Sequence, residues 1–355
     1  MRKAFTLIEL VVALGILAVV LSFAGVIFRV SIDSHRIALA NAEIMQKLRV
    51  IAEQLDTDFR GLRRDGDIFI IWDAARKSEY RGANANDPAA FERFDRMMFF
   101  TTGDFQAYKA DPPVRGNVAR VCYSLVSRPA DNAAGRLKPQ RQEPVNRMLA
   151  RTVHVLVPAA AAADRLDTRS FTDEQWREWS SSLEYDNISL QEWMQIPRAE
   201  KIDILSVIGD VTIAGDTQST TSEAARGVVI DLTQPDPVHA LLCEGVGQFA
   251  VQGWSDAEQR WIPQVNPNGD ERLEDDSDFL LEGGDLHPEH KPGVWYPHGA
   301  LTLRNITYPA SQIDETHLHE VPGLGRALKF TFTLYDSKGV LASGRTFTHI
   351  VYLDN

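Results

Sequence analysis

Cysteine is scarce in this chain of 355 residues, which contains only Cys122 and Cys243. Two thiols exclude a disulfide-rich scaffold and a four-cysteine zinc site. Two alternatives remain open, a single disulfide if the folded part lies outside the cytoplasm, or two free buried thiols. In the chain-entropy model, a bridge that closes a loop of about 120 residues stabilises a fold by roughly 4–5 kcal/mol.

Positive charge is also in short supply, and this restricts the partners. Lys and Arg number 37 against 49 Asp and Glu, giving a formal net charge of -12 at pH 7. Phosphate backbones are bound by clustered Lys and Arg, so we expect no nucleic-acid partner. The chain has no P-loop, G-x-G-x-x-G or G-x-S-x-G motif. We therefore expect a protein that is not an enzyme.

Charge is absent from the first apolar run of the chain, residues 5–28, except at Glu9. As a helix this run would be about 36 Å long, enough to cross a hydrocarbon core of about 30 Å. Arg2 and Lys3 precede the run and Arg29 ends it. The basic pair predicts a cytoplasmic N-terminus and a single-pass topology with the remainder outside. A carboxylate in this position costs about 2.5–3.5 kcal/mol on insertion scales and calls for a partner.

Two simple interpretations of this run leave Glu9 without a role. The first is a secretory signal peptide cut near the small residues "SFAG" (22–25). The second is a plain membrane anchor. Against the signal peptide, Glu9 lies inside the apolar region and the run continues beyond residue 24.

The stretch "AFTLIELVVALGIL" (4–17) resembles the N-terminal signature of type IV pilin-like proteins. The resemblance implies that residues 1–4 are a leader, removed by prepilin peptidase between Ala4 and Phe5. It further implies that Phe5 is then N-methylated and that Glu9 directs assembly. The family usually has Gly before the cut, where this chain has Ala4. Cleavage is still expected because the residue is small.

Cleavage after Ala4 would also supply the partner that Glu9 needs. It creates a positive α-amino group at the membrane-embedded end of the helix, and paired buried charges avoid most of the isolated penalty. In a lone subunit, Glu9 could pair with its own N-terminus. In a filament it would pair with the N-terminus of a neighbour and set the axial register.

Beyond Arg29 the pattern becomes amphipathic, with no Gly or Pro before Gly61. Residues 29–62 are therefore predicted to continue the helix to about Arg60, with an apolar stripe packed on a folded domain. A coiled coil is the alternative interpretation. The predicted stripe consists of Ile37, Ile44, Leu48, Ile51, Leu55, Phe59 and Leu62.

Residues 63–355 show period-two patterns, which predict an antiparallel β-sheet domain. The clearest case is "ALKFTFTLYDSKG" (327–339), a strand followed by a hairpin turn, with "RTFTHIVYL" (345–353) as the return strand. The predicted fold class is α+β, a long N-terminal helix packed on this sheet domain. Insertions are expected near 127–146, 159–206 and 266–316, as loops and short helices.

Three further segments narrow the resemblance to the J-type minor pseudopilins of type II secretion systems and the related W-type minor pilins. They are "LRVIAEQLDTDFRGL" (48–62), "LLCEGVGQFAVQGW" (241–254) and "GRALKFTFTLYDSKG" (325–339). The resemblance implies a periplasmic domain on the bacterial inner membrane, with other minor pseudopilins and the inner-membrane assembly platform as partners. The alternatives are a minor pilin of a type IV pilus, or a membrane-anchored binding domain that does not polymerise.

The insertions carry three weaker signals. Thr172 with Gln175 and Ser189 with Glu192 have capping-box spacing, which predicts two short helices. Trp176, Trp179 and Trp193 of the same insertion form either a partner surface or packing contacts. The acidic segment 266–285 is either a solvated loop or a calcium site, since Ca²⁺ prefers oxygen ligands. The calcium candidates are Asn266, Asn268, Asp270, Asp275, Asp276 and Asp278.

Overall fold

The computed structural model describes most of the N-terminal helix and the central and C-terminal strands. The described residues are 7–63, 66, 68–71, 74–76, 91–107, 113–127, 143–158, 185–186, 188–196, 241–255, 259–262, 294–295, 301–304, 318–321 and 324–353. Ala4, Phe5, all six calcium candidates, Trp176, Trp179 and the Thr172–Gln175 pair lie outside these ranges, so the predictions about them stay predictions.

The chain begins with one long helix and continues mainly as β-strands. In order, the elements are α1 (Leu7–Arg60), β1 (Phe69–Ile71), β2 (Ala74–Arg76), β3 (Phe91–Arg93), β4 (Arg96–Ala107), β5 (Val114–Ser127), β6 (Arg147–Leu156), β7 (Tyr185–Asp186), α2 (Leu190–Gln195), β8 (Leu241–Glu244), β9 (Val246–Ser255), β10 (Arg260–Ile262), β11 (Val294–Trp295), β12 (Leu301–Arg304), β13 (Leu318–Val321), β14 (Leu324–Leu334) and β15 (Arg345–Tyr352). A 3-10 turn at Pro144–Asn146 leads into β6.

Helix α1 is continuous over 54 residues and ends at Arg60, where the sequence predicts its end. Gly61 follows because the chain there lies directly against β4. The Gly61 carbonyl accepts a bond of 2.7 Å from the Thr102 amide, and a Cβ at this position would overlap the Thr102 backbone. The helix therefore stops where it meets the sheet.

The larger sheet of the described residues has nine strands, in the order β13-β12-β11-β1-β4-β5-β6-β7, with β8 also paired to β6. Its long central strands β4, β5 and β6 are antiparallel. The pairing of β6 with β7 is parallel, which differs from the purely antiparallel sheet that was predicted. The reason is that β7 follows β6 only after a long crossover, the kind of connection that parallel neighbours require.

The smaller sheet has the order β10-β9-β14-β15. Its β14–β15 hairpin confirms the predicted strand, turn and return strand, with Gly339 at φ 61° in the turn. The two sheets meet where Phe94 and Phe249 form a parallel bridge. The adjacent Asp95 accepts a bond of 2.8 Å from the Val251 amide and so ties β9 to the start of β4.

The core lies between the second half of α1 and the inner faces of both sheets. Phe59 stacks on Phe99 of the larger sheet at 4.4 Å between ring centroids and contacts Phe330 of the smaller sheet at 5.8 Å. Of the predicted stripe, Ile44, Ile51, Leu55 and Phe59 are buried, and Leu48 and Leu62 pack at the margin of the core. The predicted α+β fold is confirmed, and the stripe packs within its own chain instead of forming a coiled coil. Ile37 is exposed, because the folded body begins further along the helix.

The outer faces of β4, β5 and β6, turned away from α1, are buried as well. Phe100, Arg120, Cys122 and His154 are among their buried residues. The short helix α2 lies on this side, with the Trp193 ring 5.6 Å from that of Phe100. Trp193 is thus a packing residue, one of the two interpretations of the predicted tryptophans.

Both cysteines are free buried thiols, the second of the two alternatives open from the sequence. Cys122 lies between Val121 and Tyr123, which face the core, so its side chain is on the outer face. Cys243 belongs to the core itself. The sheet therefore separates the two thiols. Burial raises the pKa of both, that of Cys243 to about 11, which makes them poor nucleophiles.

Candidate functional site

Glu9 lies in the first turn of α1, among exposed apolar side chains. Leu7 and Ile8 beside it are 80% and 72% exposed. A carboxylate in the first turn is favoured by the positive end of the helix dipole. Since residues 1–6 are not described, the predicted roles of Ala4, Phe5 and Glu9 in cleavage, methylation and register stay predictions.

The N-terminal half of α1 makes no buried contact with the described body. Residues 7–39 are all exposed, a helical length of about 50 Å. This helix is long and apolar enough to cross a membrane, and none of its apolar window is buried. An apolar surface of this size requires lipid or protein around it, since soluble proteins rarely expose one.

A second apolar stripe extends this exposed surface beyond the membrane-length run. We define it as Leu21, Phe28, Ile32, Leu39 and Val50, all of them exposed. The spacings of seven, four, seven and eleven residues place these side chains on one side of a helix with 3.6 residues per turn. This side is more than a third of a turn away from the buried stripe. The second apolar stripe is therefore available to another helix while α1 stays docked on its own body.

Asp58, near the C-terminal end of α1, anchors the helix to the larger sheet. Its carboxylate accepts two hydrogen bonds from the Arg151 guanidinium, at 2.7 and 2.6 Å, and a third from the Tyr123 hydroxyl. Gln54 adds a fourth bond at 3.0 Å. A negative charge is unfavourable at the C-terminal end of a helix, so the paired arginine is what makes Asp58 tolerable there.

The surroundings of Asp58 are almost dry. Its residue is 4% exposed and Tyr123 is fully buried. Burial, followed by the neighbouring Asp58 carboxylate, raises the pKa of Tyr123 well above its usual range. The hydroxyl therefore remains a hydrogen-bond donor at all physiological pH values. We call Asp58, Tyr123 and Arg151 the Asp58 anchor.

A second attachment joins the middle of α1 to the β14–β15 turn. The Ser337 amide donates to Glu43 at 2.9 Å, and the Lys47 ammonium donates to the Tyr335 carbonyl at 2.7 Å. Lys47 and Glu43 also form an ion pair of 2.8 Å. Burial opposes the charged form of Glu43, but the bonds from Lys47 and Ser337 outweigh it and lower its pKa.

Asp336 fixes the conformation of the turn, so that the turn can serve as a contact surface. The Asp336 carboxylate accepts hydrogen bonds from the Val340 and Leu341 amides at 2.7 and 3.1 Å. Burial raises the pKa of Asp336, but these amide bonds dominate and leave it lowered. Further along, His349 of β15 contacts Asp56 of α1 at 2.9 Å.

The sequence patterns did not identify Asp58, Tyr123 and Arg151 as a unit. One signal was present, since Asp58 is seven residues after Ile51 and three after Leu55, on the apolar side of the helix. A carboxylate on a buried stripe predicts a cationic partner. Its identity could not be read, because Arg151 is 93 residues away in sequence.

No group of three or more potential metal-ligating side chains occurs within the described residues. The capping box of α2 is confirmed, with Ser189 and Glu192 bonding each other's backbone amides at 3.0 and 3.1 Å.

Residues 1–25 match the family model described as the prokaryotic N-terminal methylation motif. This is the prepilin-type signal of type IV pilin-like proteins, and it implies processing by prepilin peptidase and assembly in the membrane. Neither a curated protein nor a solved structure gives a significant match to this chain. The motif and the apolar helix together support a pilin-like protein that is anchored in the membrane by a single helix.

Proposed function

We propose that this chain is a minor pseudopilin, a structural subunit at or near the tip of a type II secretion pseudopilus. It is made as a prepilin on the inner membrane, with its C-terminal domain in the periplasm. Prepilin peptidase removes residues 1–4 and Phe5 is methylated. The mature subunit then joins other minor pseudopilins at the assembly platform.

One observation carries the proposal. The methylation motif of residues 1–25 sits at the start of a helix that is exposed along residues 7–39 and seated on its own body only beyond them. A helix that serves only as an anchor needs an apolar surface where lipid surrounds it. Here the second apolar stripe continues to Leu39 and Val50, at least about 15 Å past Arg29 along the axis. That extension suits a neighbouring helix better than it suits lipid.

The contacts that hold α1 on the sheets explain how the folded body keeps its shape when the exposed half of the helix moves from lipid into a filament. The Asp58 anchor and the Glu43–Ser337 contact are 15 residues apart along α1, about 22 Å. Two polar attachments at that separation, with the apolar core between them, resist both sliding and rocking of the helix on the sheets. The exposed half can therefore pass from lipid into a filament core without disturbing the body.

Two alternative functions are compatible with the same N-terminal region. The first is a minor pilin of a type IV pilus, for which residues 1–25 would serve equally well. The second is a membrane-anchored extracytoplasmic binding domain that never polymerises.

Intact-mass spectrometry of the protein from its native host tests the proposal. Loss of residues 1–4 together with the gain of one methyl group is the expected result. A full-length chain, or an N-terminus at Gly25, would contradict pilin-type processing. As a control, the same measurement in a host without prepilin peptidase should give the full-length mass.

Deletion of the gene in the native host separates the pseudopilin from the pilin. Loss of protein secretion with normal surface pili is expected for the pseudopilin. Loss of pili with normal secretion would favour the type IV pilus instead. Complementation with the unmodified gene is the control for polar effects.

A further inference from the structure

Part of the 159–206 insertion is docked on the larger sheet around a buried polar cluster: β7 pairs with β6, and α2 lies on the outer face. We call the docked part, residues 185–186 and 188–196, the β7–α2 segment. It contributes Asp186, fully buried, and Trp193, which is 1% exposed. Arg120 of β5 lies beneath both, with its guanidinium carbon 5.8 Å from the centre of the Trp193 ring.

Asp186 is held in an unusual way for a buried carboxylate. Its Oδ2 is 3.4 Å from Nη2 of Arg120, an ion pair without a hydrogen bond. Among the described residues, neither of its oxygens has a hydrogen-bond partner, and the buried Nε1 of Trp193 has none either. Asp95, equally buried, shows the contrast, since it accepts two bonds from Arg93 and one from the Val251 amide.

These surroundings affect whether the Asp186 carboxylate is charged or protonated. A carboxylate that is removed from water and accepts no hydrogen bond is stabilised far less in its charged form than one in water. The single cation at 3.4 Å offsets part of that loss. The undocked segment would return the carboxylate to water, where the charged form is favoured. Docking and protonation of Asp186 are therefore linked.

We propose that the β7–α2 segment takes up a proton at Asp186 when it docks, so that it is held on the sheet more tightly as the pH falls. The proposal takes only the periplasmic location from the proposed function, and it holds for a pseudopilin and a pilin alike. In the docked state the segment covers Arg120 and the Phe100 ring.

The electrostatics of the cluster agree with this direction. Burial, only partly opposed by Arg120, raises the pKa of Asp186 from 3.8 to about 6. His154 of β6 is directly across from Arg120 on the same face, and a positive charge on it would be repelled by Arg120. Glu192 of α2 is engaged in the N-cap of its own helix. Of these groups, only Asp186 strengthens docking on acidification.

Hydrogen exchange of the full-length protein in detergent micelles, read by mass spectrometry, tests the proposal. The protection of the peptide covering 185–196 is measured at pH 5 and pH 8, after correction for intrinsic exchange rates. A shift from 3.8 to about 6 predicts that protection is about tenfold higher at pH 5. The peptide covering β9, Val246–Ser255, which contains no titratable side chain, is the internal reference.

The variants decide which group is responsible. Asp186→Asn should remove the tenfold dependence, while Glu192→Gln should keep it. Equal protection of the wild-type segment at both pH values would overturn the proposal, whatever the variants do. A dependence that survives in Asp186→Asn, or that disappears in Glu192→Gln, would overturn the assignment to Asp186.

Discussion

The two halves of α1 belong to one uninterrupted helix, yet their surroundings differ. Residues 7–39 are exposed on every side, whereas from Ala40 onward one face is buried in the body. In the first half the apolar residues surround the helix, and in the second they are confined to stripes. The comparison teaches that the boundary between the exposed and the docked half is set by where the sheets contact the helix. The helical backbone itself continues across that boundary without a break.

The largest effect is expected from the exposed half, at Glu9. Glu9→Val removes the carboxylate that the proposed register requires, so co-purification with partner pilin-like subunits should be lost. Cleavage of residues 1–4 and the unfolding free energy of the body should not change, because Glu9 lies far from the core. Glu9→Asp, which keeps the charge, is the matched control and should retain part of the assembly. Unchanged co-purification of Glu9→Val would remove the register argument.

In the docked half, the largest loss should follow from breaking the Asp58 anchor. Asp58→Ala leaves Arg151 and Tyr123 without their shared acceptor and should lower the unfolding free energy by about 3–5 kcal/mol. Urea denaturation followed by circular dichroism measures this. Glu53→Ala on the same helix, which removes the exposed ion pair with Arg49, should leave the unfolding free energy nearly unchanged. Comparable losses from both variants would show that the anchor is not special.

Two leucine truncations compare the halves directly. Leu55→Ala opens a cavity in the core and should cost about 2–5 kcal/mol, whereas Leu39→Ala, on an exposed side, should stay within about 0.5 kcal/mol. The same denaturation experiment measures both. In assembly assays the order should reverse, because Leu39 belongs to the second apolar stripe. A Leu39→Ala protein that assembles normally would argue against that stripe as a contact.

The smallest effect concerns pH and the Glu43 contact. Because hydrogen bonds lower the pKa of Glu43 below 4.5, its contribution to stability is present above that value and is lost as the pH falls through the lowered pKa. Glu43→Gln should therefore cost less than about 1 kcal/mol at pH 7 and less again at pH 3. The comparison is the difference in unfolding free energy between variant and wild type at the two pH values. A difference that does not depend on pH would show that the charge plays no part.

Local patterns were sufficient for α1 and the β14–β15 hairpin. The helix has an apolar repeat close to 3.6 residues and ends at Gly61, and the hairpin alternates strictly around a turn signal. Both features depend on residues close in sequence. The exposed Ile37 shows the limit, because the stripe gives the side of the helix that packs but not the residue at which the body begins.

The features that the sequence missed depend on distant partners or on very short elements. Asp58 and Arg151 meet only because β6 lies beside the end of α1. The strands β11 and β12 fall within the segment 266–316, which the sequence predicts to be an insertion, and they are two and four residues long. Such strands are too short to show a period of two. The parallel β7 is likewise too short, and it pairs across a long crossover.

The residue of α1 at which the folded body begins also fixes the distance between that body and the membrane. If Arg29 marks the outer edge of the hydrocarbon, the first buried residue, Ala40, lies about 16 Å above it along the helix axis. The headgroup layer takes up only about 5–8 Å of that distance, and electrostatic forces in physiological salt decay over about 8 Å. The described part of the body thus begins beyond the headgroups, and the exposed helix between the two offers an approaching subunit a surface that the body does not cover.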